Sequence, residues 1–157
     1  MPQPPLIPRE VLFGNPERMS VRLSPDGDSI AYIAPLDGVL NVWVRSREGG
    51  DDRPVTRDTH RGIRHYFWAY DGEHICTVQD RDGDENWHVY AVSLKTGAVR
   101  DLTPFEGVHA QPLAAEPEHP NEILIGLNKE NPQLHDVYRV RIDTGEMELT
   151  VPNPGDM

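Results

Sequence analysis

The chain has 157 residues, is 37% hydrophobic and carries a formal net charge of −11 at pH 7. That length suits one ordinary domain, and the acidity argues against nucleic-acid phosphates or an anionic membrane as partners. The lone cysteine, Cys76, excludes a disulfide framework and fits a reducing compartment.

Residues 1–19 stand apart from the rest of the chain. Pro2, Pro4, Pro5 and Pro8 keep the start extended, and residues 9–13 suit one short helical turn ended by Asn15-Pro16. This segment is expected to lie across the surface of the body. No apolar run reaches membrane-spanning or signal-peptide length, so a cytoplasmic location is expected.

From residue 20 onward one cassette returns three times. Asp26-Gly27 precedes the apolar run Ile30-Ala31-Tyr32-Ile33, and Asp71-Gly72 precedes His74-Ile75-Cys76-Thr77-Val78. The third pass lacks the Asp-Gly but keeps Ile123-Leu124-Ile125. Trp43, Tyr90 and Tyr138 fall 47 and 48 residues apart, and Gly97 and Gly145, each closing a Thr-Gly turn, fall 48 apart. A period in this range, with several short strands per unit, is the mark of a β-propeller. The expected fold is all-β: a partial β-propeller of about three four-stranded antiparallel blades, at about 20–58, 63–104 and 108–151.

The first blade is expected to hold strands at 20–23, 29–34, 40–44 and 53–56. The second has them at 63–68, 74–79, 87–93 and 99–102, and the third at 111–114, 122–127, 136–142 and 147–151. Proline and glycine supply the turns between them. Runs such as 30–34 and 123–125 are apolar on both faces, which suits a sheet sandwiched between two others. The outer strands, such as 53–56, are short and polar, as protected edges are. Fifteen prolines and thirteen glycines leave no window for a long helix. Three blades exhaust residues 20–157 and leave the ring open, so the two open faces favour self-association.

Little in the chain points to catalysis. None of Ser20, Ser24, Ser29, Ser46 and Ser93 lies in the Gly-x-Ser-x-Gly frame of a hydrolase elbow. The seven histidines show no i, i+4 zinc pair and no Cys-x-x-Cys exists, so no metal and no other cofactor is expected. Asp80, Asp82 and Asp84 alternate around Gly83 as in a cation loop. However, Ala91 stands where a calcium loop needs its bidentate glutamate, and a polar inter-strand turn is the expected reading. Cys76, inside an apolar strand, reads as a small core residue. Tyr66, Phe67, Trp68 and Trp87 read as packing between blades, with an aromatic contact surface as the alternative. Arg61, Arg64 and His65 stand at the start of the second innermost strand. Innermost strands line a propeller's channel, so these three are the candidate substrate-channel residues, meeting an anionic peptide terminus.

The opening Leu6-Ile7-Pro8-Arg9-Glu10-Val11-Leu12-Phe13-Gly14-Asn15-Pro16-Glu17, followed by Leu23-Ser24-Pro25-Asp26-Gly27, resembles the N-terminus of bacterial S9 serine peptidases. This is the prolyl oligopeptidase superfamily, nearer its acylaminoacyl-peptidase and dipeptidyl-peptidase branches. Asp82-Gly83-Asp84-Glu85-Asn86-Trp87-His88-Val89-Tyr90, Asp101-Leu102-Thr103-Pro104-Phe105 and Asn131-Pro132-Gln133-Leu134-His135-Asp136-Val137-Tyr138 continue the similarity. The resemblance implies a propeller of seven or eight blades that admits short peptides to an α/β-hydrolase domain carrying Ser, Asp and His. No catalytic residue of that kind has a counterpart here. The expected role is therefore a non-catalytic propeller portion that gates or scaffolds peptide hydrolysis. Its partners would be the missing blades and the hydrolase domain. The alternative is a non-enzymatic TolB- or WD40-like interaction propeller.

Overall fold

A computed structural model describes residues 6–9 and 17–155. Of the expected N-terminal turn, Arg9 is helical; its other residues, and Pro2, Pro4 and Pro5, lie outside the described residues.

Twelve strands form three four-stranded antiparallel sheets. The first holds β1 (Met19–Leu23), β2 (Ser29–Leu36), β3 (Val39–Ser46) and β4 (Arg53–Pro54). The second holds β5 (His65–Trp68), β6 (His74–Gln79), β7 (His88–Ser93) and β8 (Val99–Asp101). The third holds β9 (Ala110–Ala114), β10 (Glu122–Asn131), β11 (Leu134–Arg141) and β12 (Met147–Val151). Within each sheet the strands lie side by side in chain order. This is the up-and-down blade of a propeller, and three such blades make a partial β-propeller.

Local chemistry places the turns. Leu36 pairs with Val39, so Asp37-Gly38 is a two-residue hairpin loop. Both residues have positive φ, 51° and 86°, which gives the loop the twist of the flanking strands. At the first turn of each of the first two blades the main chain closes in the same way. Ser24 N–H donates to Ser29 at 2.8 Å, and Ala69 N–H donates to His74 at 3.0 Å.

The period seen in the sequence is a period of hydrogen bonds. Val55 N–H donates to the Val42 carbonyl, and Leu102 N–H to that of Val89, both at 2.8 Å. Ile63 N–H reaches the Leu40 carbonyl at 2.7 Å, and Ala110 N–H that of Trp87 at 2.8 Å. The last two bonds tie the entry of one blade to the third strand of the blade before it. They also explain why β5 begins at His65 rather than at 63: the Ile63 N–H is spent on the preceding blade. Likewise β4 ends at Pro54, because the Thr56 hydroxyl, at 2.8 Å, accepts the Val42 N–H that a longer strand would have taken.

Two cores lie between the three sheets. Ala31, Ile33, Val42 and Val44 of the first pack with Ile63, Tyr66, Trp68 and Ile75. Cys76, Val89, Ala91 and Leu102 of the second pack with Ile123, Ile125, Tyr138 and Val140 of the third. Ile75 and Cys76 are neighbours on β6 and serve opposite cores, as strand alternation requires. Among the described residues the first sheet has a neighbouring sheet on one face only. On its other face the Tyr32 hydroxyl donates to Asp52 at 2.9 Å while the Arg18 guanidinium lies 4.8 Å over the Tyr32 ring. Tyr32 is buried there, and these polar contacts hold its ring and hydroxyl.

Candidate functional site

The first strand of each blade, β1, β5 and β9, faces one common side. Aromatic donors join the first two. The Tyr66 hydroxyl donates to the Ser20 carbonyl, and the Trp68 indole N–H donates to the Arg22 carbonyl at 3.4 Å. β1 is an edge strand, so these side chains satisfy main-chain oxygens that no strand pairs. Burial pushes the Tyr66 phenol up to about 12, and the nearby Arg22 guanidinium offsets part of that.

Two hollows open on this side. Near the N-terminal ends of β1 and β5, Ser20, Arg22, Arg64, His65, Tyr66 and Phe67 enclose about 240 Å³. Near the C-terminal ends of all three strands lies a larger cleft of about 430 Å³. Arg22 and Leu23 line it from β1, Phe67, Trp68 and Tyr70 from β5 and its turn, and residues 112–115 from β9. Arg22 borders both hollows.

Of the expected channel residues, Arg64 and His65 come together at the smaller hollow and are exposed. Arg61 turns elsewhere. Its Nε lies 3.3 Å from the buried carboxylate of Asp80 and so ties the inter-blade connection to the β6–β7 loop. Among the described residues neither Arg22 nor Arg64 forms an ion pair, whereas Arg45, Arg61, Arg81, Arg139 and Arg141 do. Sequence reasoning missed Arg22. The signal was present: aligning Asp26-Gly27 on Asp71-Gly72 puts Arg22 level with Phe67, on an inner strand.

The acidic loop divides its carboxylates. Asp80 meets Arg61, Asp82 meets His60 at 3.2 Å, and Asp84 accepts the N–H groups of Arg81 and Asn86, both at 3.1 Å. The three therefore serve the turn separately. Among the described residues no three His, Cys, Asp or Glu side chains gather as a metal site. Cys76 is fully buried, and burial pushes its thiol up to about 12, which keeps it protonated and unreactive. Tyr66 and Trp68 are packed between blades, while Phe67 is half-buried and reaches the cleft. Among the described residues no helix is long and apolar enough to cross a membrane.

No family model matches the chain. Over 149 residues it is 47% identical to dipeptidyl aminopeptidase BIII of Pseudoxanthomonas mexicana, a match that takes in 94% of the chain and 22% of that protein. It is 36% identical to dipeptidyl peptidase family member 6 of Caenorhabditis elegans, over 94% of the chain and 21% of that protein. The β-propeller domain of the Trilobed protease from Pyrococcus furiosus matches it with a TM-score of 0.62 at 18% identity, covering 87% of the chain and 44% of that domain.

The chain covers a propeller-like part of S9 peptidases. It spans about a fifth of the length of the curated relatives it matches. TolB from Acinetobacter baumannii shares the fold, with a TM-score of 0.59 at 20% identity over 86% of the chain and 32% of that protein. That likeness is one of fold alone. The sequence relatives of this S9-type propeller are peptidases, so a non-enzymatic TolB-like role is not favoured.

Proposed function

We propose that this propeller portion gates and scaffolds peptide hydrolysis carried out by an α/β-hydrolase domain, with further blades completing the ring. The three sheets supply blades of that ring, and short peptides pass along the inner strands. The observation that carries the reading is that Arg22, Arg64 and His65 line one hollow on the inner-strand side of a chain with net charge −11, with no carboxylate paired to either arginine among the described residues. Exposed cations held together without carboxylate partners favour an anionic group, and a peptide's terminal carboxylate is one. Arg61 takes no part in this reading, because its guanidinium is held by Asp80. A cytoplasmic location fits the lone cysteine, and the acidity disfavours nucleic-acid partners.

The reading is tested by titrating ¹⁵N-labelled chain with N-acetylphenylalanine and with its neutral amide. The main-chain amides of Arg64 and His65 are expected to shift with the acid and to stay still with the amide. Equal shifts with both probes, or none with either, would defeat the reading.

A further inference from the structure

The larger cleft, at the C-terminal ends of β1, β5 and β9, differs from the cationic hollow in size and in chemistry. Its walls are Leu23, Phe67, Trp68, Tyr70, Pro112 and Leu113, with Arg22 as the one charged group lining it. Among the described residues no carboxylate lines it, although the chain carries 26 Asp and Glu residues. Tyr70, Leu113 and Leu23 are 40%, 48% and 56% exposed, so apolar side chains meet water here beside polar surface that also lines the cleft. Trp68 is 8% exposed and its indole N–H is bonded to the Arg22 carbonyl, which fixes its ring in the cleft lining. A further blade would pack on the outer face of the first or third sheet. The cleft lies on the side the inner strands share.

We infer that this cleft binds a large apolar side chain, aromatic above all, of a short peptide whose carboxylate points toward Arg22. The inference rests on the channel reading proposed for Arg22, Arg64 and His65 and names the peptides that channel favours. The volume of about 430 Å³ falls in the range of small-molecule sites and takes a phenylalanine side chain with its flanking amides. The aromatic walls offer edge and face contacts to such a ring. With one cation and no anion in the lining, charge complementarity favours a neutral or anionic occupant and disfavours a basic side chain. Arg22 borders both hollows, so a single peptide can lay its side chain in the cleft and its terminus among Arg22, Arg64 and His65.

Three probes on the ¹⁵N-labelled chain separate the two ideas: N-acetylphenylalanine, its neutral amide and N-acetylglycine. The indole Nε1–H signal of Trp68 is expected to shift with both phenylalanine probes, with an affinity about tenfold or more above that for N-acetylglycine. Those of Trp43 and Trp87 should stay in place. Leu113→Asp and Tyr70→Ala, both at exposed positions, are each expected to weaken the phenylalanine amide about tenfold while leaving the folded spectrum intact. A Trp68 signal that ignores the phenylalanine amide, or answers N-acetylglycine as strongly, would overturn the inference. A Trp68 signal that answers the amide while Arg64 and His65 ignore the acid would uphold the cleft and remove the carboxylate reading alone.

Discussion

The hydroxyl oxygen of Thr103 accepts the main-chain N–H of Val89 at 3.0 Å. One blade earlier and 47 residues back, Thr56 does the same for Val42 at 2.8 Å. Thr103 and Val89 are almost wholly buried, at 1% and 0% exposure, so water cannot replace the hydroxyl. Replacing Thr103 by valine leaves a buried N–H without a partner and is expected to cost about 1–3 kcal/mol. Thr103→Ser keeps the acceptor and should cost less. Urea unfolding of the three proteins orders them; a valine variant as stable as the parent would show that the hydroxyl adds nothing.

Gly62 sits where the first blade hands over to the second. Its φ is +79°, and a Cβ there would lie 3.1 Å from the main-chain nitrogen of Leu40. Both the backbone region and the space favour glycine. Gly62→Ala is expected to lower stability by about 1–3 kcal/mol. Because the neighbouring Ile63–Leu40 bond joins the blades, amide exchange at Ile63 should quicken more than exchange inside β6. Uniform exchange across the chain would contradict a local joint.

Buried acids shape the alkaline limb of stability, and two of them, Cys76 and Tyr66, are raised furthest. Cys76 is raised from 9.0 to about 12 and Tyr66 from 10.0 to about 12, both chiefly by burial. Unfolding lets each lose its proton at its ordinary value, so above about pH 9 the unfolded chain binds fewer protons than the folded one. Stability therefore falls as pH rises from about 9 toward 12. Cys76→Ala is expected to flatten the lower part of that fall and Tyr66→Phe the upper part. Unchanged slopes in denaturant midpoint against pH would refute the assignment.

The acid limb has a different source. The His109 and His135 rings meet edge to face with centroids 5.5 Å apart. Burial first, and then the His135 charge, hold His109 below its ordinary 6.5, while Glu85 pulls weakly the other way. A histidine depressed in the fold contributes stability above its unfolded value, and that contribution is lost as pH falls below about 6.5. His109→Gln should reduce the loss of stability between pH 7 and pH 5. The comparison is thermal melting at the two pH values, and an equal loss in the variant would remove His109 from the account.

Much of the blade order was legible because strand, turn and period spoke together. Asp37-Gly38 announced its hairpin, and the spacing of Trp43, Tyr90 and Tyr138 gave three sheets. The ends were less legible, since they depend on bonds between blades. β5 starts two residues late because Ile63 serves Leu40, and β4 stops early because Thr56 substitutes for a strand partner. β10 and β11 run to Asn131 and from Leu134, longer than the apolar pattern, because strand pairing continues through polar residues that solvent accepts. At the inner strands, charge alone could not tell Arg61 from Arg64. The difference is a single partner, Asp80, that sequence distance does not reveal. Arg22 was missed for a different reason: it stands inside the first strand, and its company on β5 arises only when two blades meet.

The most direct test of the central claim is a peptidase assay on the purified chain alone. A dipeptidyl p-nitroanilide is incubated with the chain, with and without a serine-directed organophosphate. Since none of its serines lies in a nucleophile elbow, the account predicts no release of p-nitroaniline above the buffer rate in either case. Turnover by the chain that the organophosphate abolishes would contradict it.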